Sequence, residues 1–91
     1  MAHVDISRVP PQNLEAEQAL LGSILLRPDT MNDVMDIVSP RSFYAEKHKL
    51  IYEVMLELFG KGTPIDLLSL TSRLEERGLL ERSGGASYVA E

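Results

Sequence analysis

The 91-residue chain contains no cysteine, which excludes disulfide staples, zinc ribbons and thiol nucleophiles together and fits a reducing compartment. Tryptophan is also absent, and there are only 2 phenylalanines and 3 tyrosines. A hydrophobic core built from this chain is therefore aliphatic. Basic residues are scarce as well: 9 Lys and Arg stand against 14 Asp and Glu, for a formal charge of −5. No segment gathers its basic residues on one face, and phosphate neutralisation supplies most non-specific nucleic-acid affinity. Direct DNA binding is thus disfavoured, and an acidic surface suits a protein partner better. No apolar run approaches the roughly 20 residues needed to cross a bilayer. The start Met1-Ala2-His3-Val4-Asp5 lacks the charged-then-apolar pattern of a signal peptide. A soluble, cytoplasmic protein without membrane contact is the expectation.

The motifs of chemistry are missing too. There is no GxxxxGK[ST] loop, GxGxxG fingerprint, HExxH pair or GxSxG elbow. His3 and His48 lie far apart, whereas a metal site wants three or four converging ligands. The neighbouring carboxylates Glu53 and Glu57, or Glu75 and Glu76, fall on faces expected to be solvated, which is a poor setting for paired acid–base work. No residue is nominated as catalytic, cofactor-binding or metal-ligating.

What the chain does have is 14 leucines, 6 valines and 5 isoleucines, each large side chain worth about 1.5–3 kcal/mol on full burial. Ninety-one residues make one small domain or part of a longer chain. The apolar spacing predicts an all-α fold, a bundle of about six helices near 14–26, 30–38, a short turn at 40–43, 45–59, 66–77 and 85–91. Residues 1–12, with Pro10-Pro11, read as a flexible leader to a domain over 13–91.

The organising element is the stretch from Glu46 to Phe59. At 3.6 residues per turn, Tyr44, Ile51, Val54, Met55, Leu58 and Phe59 share one face and Glu46, Lys49, Glu53 and Glu57 the other. Leu50 and Leu56 sit on the shoulders and widen the stripe, and His48 at its edge is a packing or capping residue. Gly60 is the expected stop.

Before it, Asn13 offers an N-cap for a helix that groups Leu14, Leu21, Ile24 and Leu25, beside a strip of small residues, Ala16, Ala19 and Ser23, that would admit a close helix. Glu17 falls among the apolar residues of that helix. Its expected role is to reach back to the unpaired N–H groups of the first turn; the alternative is a buried polar contact that fixes register or a partner. Asp29 or Thr30 is expected to cap the next helix, with Met31, Val34, Met35 and Val38 inward. Phe43 and Tyr44 follow as aromatic anchors.

Asp66 is placed to cap a helix that buries Leu67, Leu70 and Leu74 and leaves Leu68 opposite, either exposed or at an interface. Gly78 ends that helix. A last helix opening after Ser83-Gly84-Gly85 implies a piece of a longer protein.

Four stretches in order, PPQNLEAEQALLGSILL from Pro10, Phe43-Tyr44 followed by HKLIYEVMLEL, GTPIDLLSLTSRLEERGLL from Gly62, and GGASYV from Gly84, together resemble the N-terminal domain of the bacterial DnaB-type replicative DNA helicases. The resemblance implies a collar domain of a ring-shaped hexamer that unwinds DNA ahead of the replication fork. Its partners would be primase and other helicase subunits, paired as dimers within the hexamer ring, with a helicase loader as a further candidate. ATP and Mg belong, on this resemblance, to a motor domain missing from these residues. Leu50, Leu56, Leu68 and Asp66 are the candidate partner or oligomer surface. Leu21, Ile24, Leu25, Phe43, Ile51, Met55, Leu58, Leu70 and Leu74 are the expected framework. The runner-up reading is a winged-helix-like DNA-binding module, suggested by LLSLTSRLEERGLL, in which Arg73 and Arg77 are offset by Glu75 and Glu76.

Overall fold

The computed structural model describes residues 13–89, so the leader falls outside the described residues, as do the last two positions of the final predicted helix. Its axis is the helix Glu46–Gly60. This helix buries His48, Leu50, Ile51, Tyr52, Val54, Met55 and Leu58, an apolar arc wider than a surface helix needs. The helices Leu14–Leu26 (α1) and Leu67–Glu76 pack on it, as does a 3₁₀ turn at Pro40–Ser42. Numbered in chain order with the one-turn helix Met31–Val34 (α2), the axis is α3, Leu67–Glu76 is α4 and Gly85–Val89 is α5. A second 3₁₀ turn, Pro28–Thr30, joins α1 to α2. The fold is all-α. Among the described residues there is no strand, so the winged-helix alternative lacks its wing and falls.

Local chemistry explains most boundaries. Asn13 Oδ1 accepts from the Ala16 N–H at 3.1 Å and starts α1. Asp66 Oδ1 accepts from the Ser69 N–H at 2.8 Å while Ser69 Oγ accepts from the Asp66 N–H at 3.1 Å, a reciprocal box that starts α4. The stop of α3 differs from expectation. Gly60 is the last helical residue, and the left-handed position is Gly62, at φ 71°. The Gly62 N–H reaches the Phe59 carbonyl at 3.1 Å and the Thr63 N–H the Leu58 carbonyl at 2.9 Å, a Schellman closure that a side chain at Gly62 would strain.

The largest departure lies between α1 and α3. The helix expected over 30–38 is α-helical only at Met31–Val34, and the side chain of Thr30 makes no cap bond. Asp29 contributes its backbone carbonyl instead, accepting from Asn32 Nδ2 at 3.1 Å. Because the chain turns after Val34, Met31, Val34 and Val38 are buried while Met35, expected inward, is exposed beside Ile37. Tyr44 is 63% exposed rather than on the face of α3, since it precedes the extended N-cap residue Ala45 and helical periodicity does not yet apply to it. Leu14, in the first turn of α1, and Leu67, in the first turn of α4, are likewise exposed rather than buried. Both sit at helix starts that run beyond the core.

The core joins Leu21, Ile24, Met31, Phe43, Ile51, Met55, Leu58, Ile65, Leu70 and Leu74, with Leu25 and Leu56 half-buried against it. Tyr52, at the centre of α3, is fully buried, and its hydroxyl donates to the Val38 carbonyl at 2.7 Å. That bond pins the irregular segment after α2 to the axis, and burial pushes the phenol pKa up. On the outer side, Arg73 of α4 donates to Glu57 of α3 through Nε at 2.8 Å and Nη2 at 2.6 Å.

Candidate functional site

The polar interior of the domain is one chain of contacts. Glu17, on α1, is buried with Leu21 and Ile24 at i, i+4 and i+7 spacing. Its carboxylate does not reach back to its own helix, as expected from its first-turn position, but crosses to the start of α3. There Oε2 accepts from the Tyr44 N–H at 2.6 Å and Oε1 from the Ala45 N–H at 3.4 Å. Oε1 also lies 2.7 Å from Nδ1 of the buried His48. A carboxylate can only accept, so His48 Nδ1 donates to it. The other ring nitrogen, Nε2, shares a hydrogen bond of 2.6 Å with the Tyr88 hydroxyl. Three helices are thereby joined: α1 by Glu17, α3 by His48 and α5 by Tyr88.

Glu, His and Tyr stand in line within this contact chain. Among the described residues no buried side-chain polar atom lacks a partner. The cavity beside it, bounded by Leu21, Leu25, Met55, Leu70 and Tyr88, is about 30 Å³, room for about one water. The arrangement is a structural clamp. Among the described residues no group of three or more His, Cys, Asp or Glu could hold a metal ion, and no helix is long and apolar enough to cross a membrane.

The surface is more informative. Between α1 and the start of α4 runs an open furrow of about 530 Å³, lined by Ala19, Gly22, Ser23, Leu25, Leu26, Asp66 and Leu67. Its floor on α1 is made of small residues, and Ser23 Oγ is already spent on the Ala19 carbonyl at 2.9 Å. Leu26, which lines the furrow, and Leu68, which follows Leu67 on α4, are 80% and 76% exposed.

Of the four candidate surface residues, Leu68 is exposed on α4, and Asp66 lines the furrow with its carboxylate used as the α4 cap. Leu56 is half-buried against the core. Leu50 is corrected: it is 8% exposed, since the arc of α3 that is covered by neighbours extends to its shoulder. Leu26 was not nominated, although its place at the end of α1, after the Leu21, Ile24, Leu25 stripe is complete, leaves it nothing of its own helix to pack with.

Charge on the other face is self-neutralised. Hydrogen bonds from Arg73 foremost, then Lys61, lower the Glu57 carboxyl from its ordinary 4.5 to about 2. Arg73 is raised in turn, by Glu57 first and Glu76 second. Arg77 Nη1 stands 3.4 Å from Glu57 as well. The two arginines of the LLSLTSRLEERGLL stretch are thus engaged within the domain.

A family model described as the DnaB-like helicase N terminal domain matches residues 9–91. The chain is 45% identical over 84 residues to the replicative DNA helicase DnaC of Bacillus subtilis, covering 92% of this chain and 18% of that protein. It is 42% identical over 85 residues to the replicative DNA helicase DnaB of Mycobacterium leprae, covering 93% and 14%. The crystal structure of the N-terminal domain of DnaB helicase from Mycobacterium tuberculosis is similar at a TM-score of 0.83 and 43% identity, covering 89% of this chain and 56% of that one. The chain spans less than a fifth of the length of these curated relatives.

Proposed function

This chain belongs to the DnaB-like helicase N terminal domain family, and on that premise we propose that it is the assembly and primase-docking head of a hexameric, ATP-dependent replicative DNA helicase. The observation that carries the reading is the furrow lined by the exposed Leu26, with Leu68 also exposed on α4, on a domain whose buried side-chain polar atoms are all paired among the described residues. A surface of this kind gains from covering leucines with another protein, and the net charge of −5 turns phosphate backbones away. The work of the domain is then positional: it sets subunit against subunit within the ring and brings primase to the fork. A loader would use the same exposed aliphatic chemistry. ATP and Mg²⁺ belong in this reading to a motor domain of the parent helicase, and the setting is the cytoplasm.

Within this surface Leu68 and Leu26 are the contact residues, Asp66 holds the α4 start in shape at the rim, and Leu56 backs the core. Sedimentation of the parent chain, alone and with primase, tests the proposal. A six-fold assembly that binds primase supports it. A parent chain that stays monomeric and leaves primase free overturns it.

A further inference from the structure

We propose that the groove between the Pro28–Thr30 turn and the α3–α4 connection docks an arginine side chain from a basic segment of a partner protein. This groove shares no lining residue with the furrow between α1 and α4. Its volume is about 310 Å³, at the small end for binding clefts, which suits a protruding side chain better than a cofactor.

The walls combine two chemistries. Pro28, Pro64, the half-buried Phe59 and the buried Ile65 supply an apolar surface. Asp29 supplies the charge, and among the described residues that line the groove none is basic. Asp29 is exposed, and among the described residues it takes part in the fold through its backbone, its carbonyl accepting from Asn32 Nδ2 at 3.1 Å. The groove also lies at the C-terminal end of α3, where Phe59 and Gly62 line it. There the carbonyl end of a 15-residue helix adds partial negative charge. Lys61, at the same end, is engaged by Glu57 at 3.0 Å.

The field extends past the groove. From Pro28 to Pro40 the chain has three aspartates, Asp29, Asp33 and Asp36, and no Lys or Arg. At helical spacing Asp33 follows Asp29 by four positions and Met35 follows Asn32 by three, and both Asp33 and Met35 are exposed. Acidic and apolar surface therefore continue together out of the groove. Arginine complements both: its methylene stem packs on apolar walls, its planar guanidinium stacks on an aromatic ring, and its fork of N–H groups bonds to a carboxylate. A phosphate backbone meets only repulsion here, so the arginine comes from a protein.

Two blocked peptides test the site on the 91-residue chain: acetyl-Leu-Arg-Leu-amide, and its citrulline counterpart, in which a neutral urea replaces the guanidinium. Amide shifts in ¹⁵N–¹H spectra locate the binding. The arginine peptide should saturably shift the amides of Asp29, Asn32, Gly62 and Thr63, and bind at least about threefold more tightly than the citrulline peptide, the scale of one exposed ion pair. Asp29→Asn should abolish that preference. Glu75→Gln, which removes one negative charge from an exposed position of α4, should preserve it. No saturable shift at the groove, equal binding of the two peptides, or an equal loss in both variants overturns the inference. Groove shifts that follow protein concentration without peptide, or peptide binding seen only after residues 1–12 are removed, would give the groove to a second copy or to the chain's own N-terminal stretch and overturn it as well.

Discussion

Glu17 Oε1 lies 2.7 Å from His48 Nδ1 across 31 residues of sequence, with both side chains buried. The contact locks α1 to the start of α3 and leaves the imidazole one orientation. Because the same carboxylate also accepts two part-buried backbone N–H groups, its removal strands the buried His48 donor and two backbone donors at once. Glu17→Ala should therefore cost about 3–5 kcal/mol, enough to leave so small a domain largely unfolded. Glu17→Gln, which keeps one acceptor oxygen, should cost less. Urea titration checks both. A Glu17→Ala domain as stable as the parent would show that the clamp contributes nothing.

Two glycines two residues apart should respond with opposite sign. Gly60 is helical, and a Cβ there meets nothing within 4 Å, whereas Gly62 is left-handed. Gly60→Ala should stabilise by about 0.4–1 kcal/mol by restricting the unfolded chain. Gly62→Ala should destabilise by at least about 1 kcal/mol. Thermal melting of the pair tests the Schellman closure, and effects of the same sign would put the helix end elsewhere.

The α3–α4 ion pairs predict an acid limb. The Glu57 carboxyl titrates near 2 in the folded domain, against an ordinary 4.5, so the folded state binds fewer protons between those values. Its contribution is full above about pH 4.5, falls as the pH drops and is gone below about 2. Glu57 remains about a fifth exposed, so the effect is modest and shrinks in 1 M salt. The difference in stability between the parent domain and Glu57→Gln, measured from pH 6 to pH 2, should narrow toward acid. A difference constant across that range would contradict the pairing.

The axis of the fold is tested by Met55, which has no exposed surface. Met55→Ala should cost about 2–5 kcal/mol by opening a cavity at the meeting of α1, α3 and α4. Calorimetry showing an unchanged melting temperature would mean that α3 is not the centre of packing.

Much of this was readable beforehand, and the failures have physical causes. Asn13 and Asp66 announce their helices because an N-cap is a local transaction between a side chain and an N–H three residues on. The stripe Leu21, Ile24, Ile51, Met55, Leu58, Leu70 and Leu74 is legible because periodicity and burial agree in the middle of long helices. At helix starts they part: Leu14 and Leu67 lie on the right face but one turn beyond the core, and Tyr44 precedes the helix on whose wheel it was drawn. The α2 region fails because a four-residue helix is too short for periodicity to place Met35. Glu17 shows the deepest limit. Its angle among apolar residues left a buried polar contact as the alternative to a first-turn cap, but its partners lie 27 to 31 residues away, and Tyr88 lies beyond the Gly84-Gly85 turn, where no wheel reaches. The furrow was half visible, since Ala19 and Ser23 stood out as part of a strip of small residues while Leu26 looked like one more leucine at the end of a run.

The central claim is that this domain holds other proteins through its exposed aliphatic face. Leu26→Ser with Leu68→Ser removes that face at two positions that carry little of the core. The melting temperature of the isolated domain should stay within a few degrees of the parent, and in the parent helicase the affinity for primase or for neighbouring subunits should fall at least about tenfold, the effect of losing ~1.4 kcal/mol of contact. Unchanged affinity and unchanged ring assembly in that doubly substituted helicase would contradict the account.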